Sequence, residues 1–175
     1  MKDKTIVLIS PRVLGAKGQI RKAPPPFGIA TLAASLNNKG YEKVHLIDAV
    51  VEDYDDMHPV KDNKTFITYG LSDQKMTSKV KNLKPDFIGI SALFSSQTEC
   101  AFSIARSLKK TIPKIPIAMG GNHATECRTQ VMIDEKCIDF ILAGEADNTF
   151  PEFIDKYFSG ENYLEVPGLL YRDNG

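Results

Sequence analysis

The sequence has no tryptophan and only three cysteines, Cys100, Cys127 and Cys137. An odd number at wide spacing is no disulfide framework. No two of them fall within the two-to-four-residue spacing of a zinc or iron–sulfur site. They read as small buried hydrophobes. Net charge is lacking too, because 22 basic side chains balance 22 acidic ones. A chain without a basic field is a poor match for nucleic acid. No apolar run approaches the ~20 residues that a membrane helix needs. The opening MKDKTIVLIS has too short an apolar part for a secretory signal and runs directly into a strand pattern. The expected setting is the cytoplasm, with neither membrane nor nucleic acid as partner.

Several motifs of nucleotide and nucleophile chemistry are missing as well. No G-x-G-x-x-G follows the first strand pattern, and there is no G-x-x-x-x-G-K-S/T loop for phosphates. G-x-S-x-G is absent, because GISAL lacks its second glycine. A phosphoacceptor receiver needs an acidic pair after the first strand and an aspartate after the third. Here the third strand ends Gly89-Ile90-Ser91, without an acid.

What is present is a regular alternation. TIVLIS, Thr5 to Ser10, is a short β-branched apolar run and reads as a buried strand. PRVLGAKGQIRKAPPP is too rich in Gly and Pro for regular structure. FGIATLAASLNN has apolar residues at helical spacing, with Gly40 where a helix would stop. Val44 to Ile47 is a second strand ending on Asp48, and the acidic stretch from Val51 to Gly70 reads as a loop. A helix capped by Ser72 follows and stops before Pro85. Phe87 to Ser91 is the third strand. The next helix carries Cys100, Ile104 and Leu108 on one face. IPIAMGG is the fourth strand, ATECRTQVMIDEK a helix, CIDFILAG the fifth strand and EADNTFPEFIDKYFSG the last helix. The tail reads as two short extended pieces around Pro167-Gly168.

Continuous apolar strands alternating with helices imply strands covered on both faces. The predicted fold is α/β: a doubly wound, Rossmann-like (flavodoxin-like) five-stranded parallel sheet with helices on both faces. Ligands of such sheets bind at the C-terminal strand edge. Ser10-Pro11-Arg12, Asp48, Ser91-Ala92-Leu93, Gly120-Gly121-Asn122 and Gly144-Glu145 fall there. That edge suits a nucleotide, a flavin, a corrinoid, a phosphoacceptor aspartate or no ligand at all, and fold alone does not choose. Two glycines in AMGGNHAT leave two readings open. Something lies close to that backbone, or both serve a tight strand-to-helix turn. Of His45, His58 and His123, only His123 stands near the expected edge.

PPPFGIATLAASLNNKGYEKVHLIDA resembles the opening of the cobalamin-binding domains that precede radical S-adenosylmethionine enzymes. PDFIGISALFSS is similar to their third strand and loop. MGGNHAT resembles their G-G-x-H-A-T stretch, and LAGEADNTFPEF their G-E-G-E-x-T-x-x-E-L stretch, with Ala146 and Asp147 replacing the second G-E. GLLYRDNG resembles the hinge leading to their catalytic barrel. The resemblance spans nearly the whole chain and points to methyltransferases and magnesium-protoporphyrin monomethyl ester cyclases. It implies a domain over residues 1–160, a hinge over 161–175 and cobalamin as cofactor. The implied binding residues are Arg12, Pro26, Gly28, Ser91, Ala92, Leu93, Phe94, Ser95, Gly120, Gly121, Asn122, His123, Gly144 and Glu145. On this reading the Ser91 hydroxyl meets the dimethylbenzimidazole or its ribose, and the glycine pair lets the nucleotide tail lie against backbone.

One departure stands out. Cobalamin carriers that ligate cobalt through histidine have Asp-x-His-x-x-Gly after the first strand, and the loop here has no histidine. Asp56-Met57-His58 follows the second strand and has Lys61 where the glycine belongs. No histidine ligation of cobalt is therefore expected. The three cysteines cannot supply the Cys-x-x-x-Cys-x-x-Cys of a 4Fe–4S cluster. That cluster and S-adenosylmethionine would belong to the radical barrel, the expected partner in a longer chain, so no catalytic or metal-ligating residue is expected here. Two other readings remain. The domain has lost its cofactor and serves structure or substrate recognition, with Arg12, Lys17, Arg21 and Lys22 crowding the first loop. Or it is a small hydrolase or transferase using Ser91, His123 and Glu145.

Overall fold

The apolar β-branched run Ile6–Ser10 forms β1, and its first four residues are buried. It is the hub of the structure, a computed structural model that describes residues 2–172. In chain order come β2 (Val13–Ala16), α1 (Phe27–Asn38), β3 (Val44–Asp48), α2 (Ala49–Glu52), β4 (Met57–Val60), β5 (Asn63–Tyr69), α3 (Asp73–Leu83) and β6 (Phe87–Ser91). Then follow a 3₁₀ turn (Ser95–Gln97), α4 (Thr98–Thr111), β7 (Ile117–Gly120), α5 (Asn122–Glu126), α6 (Arg128–Asp134), β8 (Phe140–Leu142), α7 (Thr149–Ser159) and β9 (Leu169–Tyr171).

The main sheet has the order β3-β1-β6-β7-β8-β9. The first five strands run parallel, in the expected doubly wound order. One face packs Met76 and Val80 of α3, Ile104 and Leu108 of α4 and Val131 of α6 against Val7, Ile9, Ile88 and Ile90. The other face packs Ile29, Ala33 and Leu36 of α1 and Phe150, Phe153 and Ile154 of α7 against Ile6, Leu8 and Phe87. Both faces are therefore covered, which is why the strands carry no polar alternation. Among the described residues no helix is long and apolar enough to cross a membrane.

Four expectations need correction. The sheet has a sixth strand: β9 pairs antiparallel with β8 through Leu169↔Leu142 and Tyr171↔Phe140. Among the described residues it is the one strand formed from the tail, since 161–166 stays irregular. Asp173, Asn174 and Gly175, which end the hinge motif, lie outside the described residues. The segments read as irregular, 11–26 and 51–70, contribute a second sheet of order β2-β5-β4. Its center is the β-branched and aromatic run Thr65 to Tyr69, and a two-residue turn with Asp62 at φ 58 joins β4 to β5. The helix expected from Ala124 to Lys136 is two, broken at Cys127 (φ −103, ψ 18). The Thr125 hydroxyl donates to Gly121 O and accepts from Gly144 N, tying α5 to the loops, while α6 follows the core.

Away from the ligand edge, Asp155 of α7 joins the end of α1 to the N-terminus. It accepts hydrogen bonds from the Tyr41 hydroxyl (2.9 Å), from Lys39 (3.0 Å) and from Lys2. Burial raises its proton affinity, but the two lysines and Tyr41 outweigh that and hold its carboxyl below the ordinary value of 3.8. A depressed carboxylate stabilises the fold above its unfolded value, and that part is lost as pH falls through the folded value. Urea unfolding should accordingly show stability dropping in acid below about pH 4. Asp155→Asn should lower stability at pH 7 and flatten the acid drop; an unchanged pH profile in the variant would contradict the assignment.

Candidate functional site

The strand order reverses between β1 and β6. The chain leaves β1 toward α1 on one face and leaves β6 toward α4 on the other, so the two loops part and open a crevice. A groove of about 1000 Å³ occupies it. Pockets for drug-sized molecules run to about this volume, so the groove suits a large ligand. Its floor reaches into the sheet at Leu8, Gly89, Ala118, Leu142 and Phe150. One wall is Ser91 to Phe94, another Gly120 to Asn122, and a third Gly144 to Asp147. Residues of β2 and the arm that follows it form the roof, with Gln19, Ile20 and the three prolines Pro24 to Pro26 facing the space. The Tyr69 hydroxyl grips this arm: it accepts from Lys22 N at 3.0 Å and donates to Lys22 O at 2.9 Å.

The structure brings eleven of the fourteen sequence-expected residues to the groove: Pro26, Gly28, Ser91, Ala92, Leu93, Phe94, Gly120, Gly121, Asn122, Gly144 and Glu145. Arg12, Ser95 and His123 are not in its lining. Arg12 turns to α3 instead, where its Nη1 lies 2.9 Å from Asp73 Oδ1. A guanidinium that is mostly buried needs such a partner, and Asp73 supplies it. His123 Nδ1 and Ser95 Oγ lie 2.9 Å apart and satisfy one another at the rim. Among the described residues no hydrogen bond joins any two of Ser91, His123 and Glu145, so the geometry of a triad is missing.

Sequence reasoning missed the floor and, apart from Pro26, the roof. Gly89 carried a signal, since glycine inside a buried strand marks a close approach. A Cβ there would stand 2.8 Å from Leu8 Cδ2 and 3.7 Å from Phe150 Cζ, so its absence lets Leu8 pack down on the strand at the groove's floor. Leu8 and Phe150 looked like ordinary core residues, and Tyr69 and Ile20 sat in segments read as irregular.

The two glycines of AMGGNHAT do different jobs. Gly121 has φ +100, and a Cβ on it would sit 2.8 Å from the Ala92 carbonyl oxygen. Its need is the crossing of two backbone segments. Gly120 faces the groove, where the nearest atom to an added Cβ is Leu142 O at 3.6 Å.

Neither Cys100 nor Cys137 is poised as a nucleophile. Burial pushes the Cys100 thiol up, and burial with Glu135 pushes Cys137 up to about 11. Both remain thiols at neutral pH, and neither lines the groove. Among the described residues, no three His, Cys, Asp or Glu side chains converge to hold a metal ion.

The glycine geometry sets a direct expectation for stability. Gly121→Ala should cost about 1–3 kcal/mol, as strain against fixed backbone does. Gly120→Ala should stay within about 0.5 kcal/mol. Urea unfolding measures both, and equal costs would contradict the division of labour.

Comparison with known proteins places this geometry. The chain is 29% identical over 168 residues to cytidylyl-2-hydroxyethylphosphonate methyltransferase of Streptomyces wedmorensis, covering 96% of this chain and 31% of that protein. It is 27% identical over 175 residues to the anaerobic magnesium-protoporphyrin IX monomethyl ester cyclase of Cereibacter sphaeroides, covering 96% of this chain and 25% of the relative. The chain thus spans about a quarter to a third of the length of these curated relatives. The radical S-adenosylmethionine methyltransferase TsrM of Kitasatospora setae superposes with a TM-score of 0.66 at 14% identity, over 98% of this chain and 29% of that one. The methanol:cobalamin methyltransferase complex MtaBC of Methanosarcina barkeri gives 0.54 at 16%, over 93% and 51%. At such identities the structures speak for the fold. The family match is direct: residues 16–154 fit the B12 binding domain, and the chain belongs to that family.

Proposed function

We propose that the groove binds cobalamin with no histidine on cobalt, as a module that holds the corrinoid for methyl transfer or radical chemistry carried out in a longer enzyme. The observation that carries this reading is the groove at the strand reversal, apolar at its floor beside Gly89, in a chain of the B12 binding family. A flat base such as dimethylbenzimidazole is apolar on its faces and suits a slot lined by Leu8, Ala118, Leu142 and Phe150. Ser91 stands at the slot's mouth as a hydrogen-bond partner for the base or its ribose, and Gly120 leaves room for the tail beside its backbone. Asn122, Gly144 and Glu145 offer polar groups for the amides at the macrocycle's rim.

Bound cobalamin supplies an organometallic carbon–cobalt bond or a reduced cobalt center. This chain's residues bind it, orient it and keep water from its tail. None of the three histidines lines the groove. His45 lies in β3, His58 Nε2 sits 3.2 Å from Asp56 Oδ1, and His123 meets Ser95. This supports a base-off corrinoid without a protein imidazole. The radical chemistry, its 4Fe–4S cluster and S-adenosylmethionine would lie in a barrel of the same full-length chain, reached through residues 161–175. A cytoplasmic setting fits three free cysteines.

Titration with hydroxocobalamin and with cob(II)alamin under reductant, followed by removal of free cofactor, tests the reading. The chain should retain corrinoid with a base-off visible spectrum. The triple variant His45→Asn, His58→Asn, His123→Asn should give the same spectrum. Gly89→Val should abolish retention with circular dichroism unchanged. A folded wild-type chain that retains nothing would contradict the proposal and favour a domain kept for structure or substrate recognition.

A further inference from the structure

Residues 92–95 bridge β6 and the 3₁₀ turn, and they are held at both ends by one short helix. At the near end, the backbone N–H of His123 donates to Ala92 O at 3.1 Å, and Ala92 N donates to Gly120 O at 2.7 Å. At the far end, the His123 ring meets Ser95 Oγ at 2.9 Å. The ring is steadied from the side by Phe102 of α4, edge to face at 6.3 Å. Between the two holds stand Leu93 and Phe94. Both line the groove, yet they are 53% and 54% exposed. Large apolar side chains left open to water at a ligand groove imply that something covers them. A free loop would fold them inward; this one is pinned at each end and cannot.

We infer that His123 is a positioning residue of the corrinoid site. Through Ser95 it fixes the turn that presents Leu93 and Phe94 as an apolar lip over the bound macrocycle. The inference rests on the corrinoid reading above, but it assigns His123 a place behind the site rather than in it. Its ring does not touch the ligand, and only its Nδ1 edge matters. Asparagine carries a polar atom where the imidazole has Nδ1, and either amide end can bond a hydroxyl. Glutamine places its amide where Nε2 lies, one bond too far. A role in bulk or packing would rank the two the other way, because glutamine is nearer to histidine in size.

The test is hydroxocobalamin release from the 175-residue chain, followed by stopped-flow dilution into a corrinoid scavenger. Losing a hydrogen bond of this kind should speed release by about threefold to tenfold. His123→Ala, His123→Gln and Ser95→Ala should each show that effect. The double variant His123→Ala, Ser95→Ala should show no more than either single one, since both break the same bond. His123→Asn should release at the wild-type rate. Additive single effects, or rescue by glutamine as good as rescue by asparagine, would overturn the assignment. The clamp is also readable without cofactor. Amide exchange of Gln97, whose N–H donates to Phe94 O at 2.9 Å, should rise by about the same factor in the alanine and glutamine variants and stay at wild type in the asparagine variant. Equal protection in all of them overturns the clamp. A wild-type chain that protects the lip but retains no corrinoid supports the clamp and sinks the cofactor reading alone.

Discussion

Between β1 and β6 the order of the sheet reverses, and the crossovers on either side leave by opposite faces. This is forced by handedness: a right-handed connection from β1 to β3 must put α1 on one face, and the one back across to β6 must put α3 on the other. Two adjacent strands then end without a shared lid, and the space above them fills only with loops or with a ligand. The groove, its floor and its rim all follow from that single reversal. At the groove's foot, Gly89 lets Leu8 pack closely on the strand.

The rest of the architecture serves to hold the crevice open. Gly121 lets the loop after β7 press on the loop after β6, backbone to backbone. Thr125 links α5 to the loop after β8. On the other side, the antiparallel sheet gives a rigid base for the arm that roofs the groove, with Tyr69 as its fastening. Arg12 and Asp73 tie that base to α3. The polar bonds near the groove thus fall mostly between loops, and the groove itself is left apolar at depth and polar at its mouth.

The main sheet was legible because its strands are unbroken apolar runs such as Ile6 to Ile9 and Phe87 to Ile90, and because Gly40 and Ser72 mark helix ends. The loop motifs were legible because Ser91 to Phe94 and Gly120 to Asn122 follow those strands at once. The second sheet was hidden for a physical reason. Thr65 to Tyr69 is a good strand by composition, but acidic and lysine-rich neighbours on both sides made the whole region look solvated. Arg12 looked like a ligand contact because it follows β1, yet a buried guanidinium seeks a carboxylate, and Asp73 lies 61 residues away. The pairing of Ser95 with His123, 28 residues apart, likewise belongs to the folded chain and to no local pattern. Leu8 and Phe150 read as core because they are core; that they also underlie the groove belongs to the folded chain.

The central claim is that a corrinoid tail enters the sheet at the strand reversal. Crystals of the chain grown with hydroxocobalamin, with data collected at the cobalt absorption edge, test it most directly. One anomalous peak above the C-terminal ends of β1, β6 and β7, with tail density running down to Gly89, is the predicted result. A cobalt peak elsewhere on the surface, or a tail left in solvent with the floor empty, would contradict it.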